Sequence, residues 1–190
     1  MLNSTTLNRC ISVDVETAGP YPGSFSLLSI GACTLQRPHL TFYVELQPIH
    51  ETLLPEAYGI HGLSLDYLHE FGIPPFDAMK QFSDWIETAV PAGEKPLFIA
   101  FNAPFDWMFI SDYFYRFLGH NPFGHSAIDI KAFYMGIIGC DWDETSWSQI
   151  SQRYIGDHKL THNALRDAID QAEIMLHILS ERKQAEQYEE

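Results

Sequence analysis

The chain has 190 residues, 46% of them hydrophobic and 14% aromatic, and carries a formal net charge of −14. This size and composition indicate one domain over residues 1–190 with a substantial core, and they exclude a largely disordered chain. No apolar run approaches membrane-spanning length and the first residues lack a signal-peptide core, so no membrane contact is expected. Cys10, Cys33 and Cys140 lack C-x-x-C spacing, which favours free thiols in a reducing cytoplasm. The tail from about residue 183 is expected to fray.

Three strands come first, and helices alternate with strands after them. Alternating β-branched residues predict strands at 9–16, 26–35 and 40–47. A helical turn at 55–62 and an amphipathic helix at 75–90 follow. The later patterns predict a strand at 96–102, a helix at 104–118, a short strand at 127–130, and helices near 131–138, 145–155 and 163–183. This order indicates α/β layers around a mixed sheet.

The first predicted strand carries two acidic residues on one face. Asp14 and Glu16 alternate with valines, and side chains two residues apart on a strand share a face. Two carboxylates roughly 7 Å apart repel each other unless a cation lies beside them. The alternative interpretation is an exposed strand end that leads into the Gly19-Pro20 turn.

A third acidic residue follows the fourth predicted strand. The apolar run from Leu97 to Phe101 is typical of a buried central strand. Pro104 suits the first position of the next helix, which places Asp106 in the first helical turn. Because ligands of α/β sheets usually lie where the chain leaves the carboxyl end of a strand, Asp106 is a candidate ligand. The alternative is the ordinary preference for a carboxylate near a helix N-terminus.

His162 and Asp167 open the last predicted helix. Ala164, Ala168 and Ala172 recur at helical spacing and form a small-residue face that can press closely on a sheet, with Asp167 at its rim. His162 lies about 140° from Asp167 around an ideal helix, so both reach one site only if His162 stands on a loop or a frayed first turn. The alternative is a surface histidine at a helix start.

The acidic residues and the histidine together predict a hydrolytic metal site. Asp14, Glu16, Asp106 and Asp167 would hold two Mg²⁺ or Mn²⁺ ions, because hard cations take carboxylate oxygens. A metal pair stabilises the attacking and leaving oxygens of a phosphodiester displacement. Neutral His162 would take the proton of the attacking water, so activity is expected to rise through neutral pH.

The order of these motifs and the residues within them resemble those of a known family. The match is carried by Asp14-Val-Glu-Thr-Ala-Gly19, Asn102-Ala-Pro-Phe-Asp106, Asn121-Pro-Phe123 with Ala127-Ile-Asp-Ile130, and His162-Asn-Ala-Leu-Arg-Asp167. This pattern resembles the DEDDh branch of the 3′-5′ exonuclease superfamily, and its ribonuclease T-like members in particular. The resemblance implies an α/β, ribonuclease H-like fold with a mixed five-stranded sheet flanked by helices. It also implies release of 5′-nucleotides from the 3′ ends of single-stranded RNA or DNA, and a homodimer.

The same resemblance assigns residues to the substrate. Phe105 and Phe123 match aromatic positions that stack on the last nucleotides, and ordinary core packing is the alternative for each. Glu56 matches an acidic position that contacts a terminal base. The main chain around Ile60 and His61 would approach the terminal sugar.

Several of these assignments depart from the family or have a competing interpretation. Pro20 and Ile60 stand where the family has aromatic residues, so the base preference does not carry over. His61 is a second candidate base. Asp129 matches an acidic position that supports the site from outside the ligand set, and capping of the helix before Lys131 is the alternative.

The net charge of −14 opposes nucleic-acid binding, because phosphate contacts supply much of the affinity of such proteins. The candidate cations for a basic patch are Arg9, Arg116, Lys131, Arg153 and Lys159. Other functions left open are DNA trimming or proofreading, hydrolysis of short oligonucleotides, hydrolysis of small phosphate esters, and a non-catalytic module that binds nucleic acid or protein on the same fold.

Overall fold

The computed structural model describes residues 4–156 and 159–189, and its centre is one five-stranded sheet. The strands are β1 Cys10–Thr17, β2 Leu27–Thr34, β3 Thr41–Glu45, β4 Leu97–Ala100 and β5 Ala127–Asp129. Their order across the sheet is β3-β2-β1-β4-β5. The β1–β2 and β2–β3 pairs are antiparallel, whereas the β1–β4 and β4–β5 pairs are parallel. The predicted mixed five-stranded sheet is therefore confirmed.

Helices cover both faces of this sheet. They are α1 Ser4–Leu7, α2 Pro55–His61, α3 Leu65–Phe71, α4 Pro75–Ala89, α5 Ala103–Leu118, α6 Ile130–Ile138, α7 Trp147–Tyr154 and α8 Ala164–Glu189, with a 3₁₀ turn at Trp142–Glu144. Within the described ranges, none of these helices combines the length and the apolar character needed to cross a bilayer. The three cysteines are free, as predicted.

The structure corrects the predicted elements in two respects. Helix α8 continues to Glu189, so the predicted boundary near 183 is wrong, while fraying of the tail stays a prediction. Helix α3, like α1 and the 3₁₀ turn, lies in a segment for which no element was predicted. It begins after Ser64, whose hydroxyl accepts from the Tyr67 amide, and ends at Gly72. Seven residues are too few to show a clear helical period.

The alternation of side chains along β1 separates two apolar cores. Ile11, Val13 and Val15 face α4 and α5 and join a cluster with Phe82 and Phe109. The opposite face packs on α6, α7 and α8 in a second cluster, which includes Cys10, Cys33, Ile99, Ile150, Ile174 and Met175. Because Asp14 and Glu16 alternate with the valines, their side chains lie on the face that meets α8.

Candidate functional site

The first turn of α8 lies directly over the middle of β1 and β2. Gly31 on β2 pairs with Asp14 on β1. A Cβ atom at Gly31 would stand 2.0 Å from the backbone carbon of Ala164 and 2.1 Å from the nitrogen of Leu165. The missing side chain therefore lets the start of α8 approach the sheet beside Asp14. This contact was not predicted, although a glycine inside a strand is a sequence signal of close backbone approach.

Asp167 anchors the loop that carries His162. Its Oδ1 accepts hydrogen bonds from the amide and the hydroxyl of Thr161, at 2.8 and 2.9 Å, and its Oδ2 accepts from the His162 amide at 2.8 Å. Asn163 caps the helix through a 3.1 Å hydrogen bond from the Arg166 amide to Oδ1. His162 has a φ of 54°, a left-handed conformation outside α8. The histidine thus stands on the loop, where the geometric argument from sequence places it.

Asp106 is held at the start of α5, against β1. Its Oδ1 accepts from the Val15 amide at 3.1 Å, and the side chain is buried. Asp129 fixes the same corner, because its Oδ2 accepts from the Ala103 amide and its Oδ1 from the Ala132 amide, both at 2.7 Å. Asp129 therefore caps α6, as the alternative interpretation states, and also ties down the turn that presents Asp106.

Gln171 is a site residue that the sequence analysis missed. Its Nε2 donates to Oδ1 of Asp14 at 2.6 Å, and its Oε1 accepts from the Phe101 amide at 2.9 Å. The side chain is buried and lies one helical turn after Asp167. That i, i+4 spacing from a predicted ligand is the signal that could have identified it.

The structure brings three predicted site residues into one close group. One ligand atom from each of Glu16, His162 and Asp167 lies within 4.8 Å of the other two. Asp14 and Asp106 fall outside that group of described residues, yet their charges act on each other and on the group. The four acids and the histidine, which span the sequence from β1 to α8, therefore converge at one end of the sheet.

Mutual repulsion and burial shift the carboxyl groups towards their neutral forms. Burial raises the pKa of Asp14 well above its usual range, and the negative charges of Asp106, Glu16 and Asp167 raise it further. The hydrogen bond from Gln171 opposes this rise. Burial, followed by the charge of Asp167, raises the pKa of Glu16 to about 8.

Asp106 follows the same pattern. Burial raises its pKa well above the usual range, and the hydrogen bonds from its own amide and that of Val15 oppose the rise. The charges of Glu16 and Asp129 raise it again. Such a cluster of oxygen donors lacks positive charge, and it fits hard divalent cations, which prefer carboxylate ligands. Asp167 accepts three hydrogen bonds. A carboxylate has about four lone-pair sites, so one remains for a cation.

His61 occupies a different position from His162. Its Nδ1 accepts from the Leu63 amide at 2.9 Å, which leaves Nε2 to donate to the Thr17 carbonyl oxygen at 3.2 Å. Burial, and then the charge of His162, lower the pKa of His61, while the Thr17 carbonyl raises it. Because both ring nitrogens are engaged, His61 is a fixed neutral imidazole and a poor candidate for the base.

A mostly apolar pocket of about 270 Å³ opens beside Glu16. Phe105, Ile60 and His61, all predicted substrate contacts, line it. Glu56 lies exposed in the first turn of α2, next to the lining residues but not among them.

Phe123 does not reach this pocket. It is 2% exposed and its ring packs edge-on against Phe98 and beside Phe82 and Phe114 in the core. The prediction that Phe123 contacts the substrate is therefore wrong, and the core-packing alternative holds. The motif alone does not show whether its phenylalanine faces the core or the substrate site, because the tertiary contacts determine that orientation.

Sequence comparison identifies relatives that act on nucleic acids. The chain is 46% identical over 175 residues to the 3′-5′ DNA exonuclease Cap18 of Escherichia coli, over 91% of this chain and 94% of that protein. It is 27% identical over 139 residues to Ribonuclease T of Baumannia cicadellinicola subsp. Homalodisca coagulata, over 67% of this chain and 64% of that protein. No protein-family model matches the chain.

Solved structures share the fold. The nuclease domain of 3′hExo, a DEDDh family member bound to rAMP, superposes with a TM-score of 0.74 at 16% identity, over 90% of this chain and 92% of that chain. E. coli Exonuclease I in complex with a dT13 oligonucleotide superposes with a TM-score of 0.72 at 17% identity, over 95% of this chain and 42% of that chain. With its ribonuclease H-like fold, and with a relative of this identity along nearly its whole length, the chain belongs to the DEDDh 3′-5′ exonucleases.

Proposed function

We propose that this 3′-5′ exonuclease degrades single-stranded DNA with two Mg²⁺ or Mn²⁺ ions held by Asp14, Glu16, Asp106 and Asp167. The observation that carries the proposal is the convergence of distant segments on one group, in which ligand atoms of Glu16, His162 and Asp167 lie within 4.8 Å of one another. The raised pKa values of the buried acids support it, because burial is their main cause and mutual repulsion adds to it, and bound cations would offset both.

The residues around the group have distinct roles in this proposal. Bound divalent cations supply Lewis-acid stabilisation of the phosphate and ease loss of a proton from water. Neutral His162 accepts that proton while the water oxygen bonds to phosphorus. The bond from phosphorus to the 3′ oxygen of the upstream nucleotide breaks, and a 5′-nucleotide leaves. Phe105 and Ile60 hold the terminal nucleotide in the apolar pocket, with Glu56 at its rim.

DNA is the favoured substrate because of the balance of similarity. The DNA exonuclease matches at 46% identity over 91% of the chain, whereas Ribonuclease T matches at 27% over 67%. Contacts with the 2′-hydroxyl distinguish RNA from DNA in such sites. The homodimer that the family resemblance implies and the cytoplasmic location that the three cysteines favour stay predictions.

A single assay tests this function. Single-stranded DNA and RNA of equal length, labelled at the 5′ end, are incubated with the protein in Mg²⁺, in Mn²⁺ and in EDTA. We expect a ladder that shortens from the 3′ end with either metal, faster on DNA, and no shortening in EDTA. If the protein binds the labelled oligonucleotides but shortens them with neither metal, the result contradicts catalysis and favours the non-catalytic module.

Matched aspartate variants locate the site. Asp14→Asn removes a proposed ligand and should abolish shortening while the protein stays folded. Asp77→Asn removes an exposed acid at the start of α4 and should leave the rate unchanged. Normal activity of Asp14→Asn would remove Asp14 from the mechanism.

A further inference from the structure

Within the described residues, neighbouring acids neutralise five of the lysine and arginine side chains. Ion pairs join Arg37 to Glu173, Lys80 to Asp84, Arg116 to Asp112, Arg153 to Glu181 and Arg166 to Asp170. Arg116 and Arg153, two candidates for a basic patch, are thus already paired. These two arginines are therefore less available to hold a nucleic-acid strand near the site.

Lys131 differs from those cations because it lies against aromatic rings. Its Nζ stands 4.2 Å from the ring centre of Trp142 and 6.0 Å from that of Phe101. Trp147 packs edge-on against Phe101 with ring centres 5.1 Å apart. Among the residues that the structure describes, Lys131 makes no ion pair with an acid. We call these four residues, Phe101, Lys131, Trp142 and Trp147, the aromatic shelf.

The aromatic shelf begins beside the carboxylate site, on the same face of the sheet. Strands β1 and β4 are parallel with Ser12 opposite Ile99, so the register places Asp14 level with Phe101, one residue past β4. Gln171 joins the two, since it donates to Asp14 and accepts from the Phe101 amide. The shelf therefore continues the catalytic edge of the sheet towards β5 and α6.

The shelf and the apolar pocket are built by different elements around the carboxylates. The pocket opens beside Glu16 and is lined by residues of α2 and α5. The shelf extends from β4 to the 3₁₀ turn beyond α6. When the terminal nucleotide occupies the pocket and its phosphate lies at the carboxylates, the rest of the strand has to leave the site by another side. The shelf is a surface of suitable chemistry in that position.

We propose that the aromatic shelf is a second binding site for the substrate, which stacks bases upstream of the scissile phosphate. This inference rests on the proposed function. Trp142 is 50% exposed with the Lys131 ammonium over its ring, so half of the side chain is open to contact with a base. The same ammonium can contact a passing phosphate. Stacking tolerates any base, as a non-specific exonuclease requires.

The acids around Trp142 make stacking more important than charge. Asp141 and Glu144 form a capping box at the 3₁₀ turn, and Asp143 lies between them. Their negative charges repel phosphates, so an isolated Lys131 would attract a strand poorly. An exposed indole, in contrast, gains from stacking whatever the surrounding charge, which suits a chain of net charge −14.

The proposal is tested by the dependence of the kinetics on substrate length. Thymidine oligonucleotides of two, four and ten nucleotides are hydrolysed by wild type and by Trp142→Ala. We expect KM for the decanucleotide to rise roughly five- to hundredfold in the variant with kcat unchanged, the range expected for loss of one stacked base. The dinucleotide offers a single base upstream of the scissile phosphate, so its KM should change less than that of the decanucleotide.

Tyr115→Ala is the matched control. Tyr115 is 45% exposed near the end of α5, about 14 Å along the helix from Asp106, and its removal should change no constant for any length. Lys131→Met is the second variant, which also serves if Trp142→Ala fails to fold. It should raise KM for the decanucleotide more than for the dinucleotide, and flatten the dependence of KM on salt.

The outcomes separate the shelf from the catalytic function. The shelf proposal is overturned if both shelf variants raise KM equally for all substrate lengths, or raise it for none. If wild type shortens no oligonucleotide, the proposed function fails, and binding of a labelled decanucleotide in EDTA then decides the shelf. In that case Trp142→Ala must still bind more weakly than wild type and Tyr115→Ala, and equal binding overturns the proposal.

Discussion

Replacing Glu16 by glutamine should stabilise the metal-free protein in a pH-dependent way. The pKa of Glu16 is raised from 4.5 to about 8, by burial first and then by the charge of Asp167. Between these two values the unfolded chain carries the negative charge while the folded protein retains a proton. The contribution of Glu16 to stability is therefore complete below about pH 4.5 and is lost as the pH rises through about 8. Glutamine never ionises, so Glu16→Gln should escape this loss.

The size of the effect follows from the same two values. The difference between 4.5 and about 8, at roughly 1.36 kcal/mol per pH unit, corresponds to a limit of about 5 kcal/mol. Rearrangement of the neighbours and entry of water reduce such differences, so we expect about 2 kcal/mol at pH 8.5. In a domain of 190 residues this raises the melting temperature by about 4–8 °C. At pH 4.5 the variant and the wild type should melt together.

Thermal melts of the wild type and Glu16→Gln in EDTA, over a pH series, measure this difference. Glu87→Gln, which alters an exposed carboxyl group on α4, is the control and should follow wild type at every pH. Saturating Mn²⁺ should reverse the order, because a ligand that binds only the folded state stabilises it and the variant has lost a ligand. If Glu16→Gln melts no higher than wild type at pH 8.5 in EDTA, the carboxylates of the site are not under electrostatic strain and the reasoning fails.

Three further variants test how the site is positioned. Gly31→Ala puts a methyl group into the backbone of α8. We expect it to destabilise the protein by about 1–3 kcal/mol in thermal melts and to lower kcat by about a hundredfold. An unchanged kcat would show that α8 can shift freely. Asparagine tolerates the positive φ of position 162, so His162→Asn should leave the melting temperature unchanged. The variant should lower kcat by about 10²–10⁴ and remove the rise of activity through neutral pH. A retained pH profile would point to another base. Gln171→Leu removes both hydrogen bonds that join Asp14 to β4, and should cost about 1–3 kcal/mol in melts and lower kcat; wild-type kcat would mean that Asp14 needs no support.

The strands, and the faces on which their acidic residues lie, were predictable because they depend on local periodicity. The alternation around Asp14 and Glu16 fixes both the strand and the face on which the carboxylates lie. His162 and Asp167 lie about 140° apart around an ideal helix, so His162 was expected outside the helix. The left-handed φ of His162 shows that it does lie outside. These features depend on residues within a few positions of each other, which is the range over which a sequence pattern carries information.

The missed features depend on contacts between distant segments. Gly31 matters because of Ala164, and Gln171 matters because of Asp14 and Phe101. No pattern within one element shows such a partner. Phe123 was misassigned for the same reason, since an aromatic residue of a motif can face either the site or the core.

Burial explains why an acidic chain can carry out this chemistry. Glu16, Asp106 and Asp167 are buried, and Asp14 accepts a hydrogen bond from Gln171 beside them, so the charges of these four acids act mainly on one another. In water the same four carboxylates would attract a divalent ion weakly, because their interaction would be screened. Inside the protein, burial and then repulsion raise the pKa values of Asp14 and Glu16, and protons or a metal ion would relieve that repulsion. The charge of −14 therefore describes two separate populations of acids, and in the buried one two divalent cations would neutralise the four carboxylates, so the site would no longer repel a phosphate.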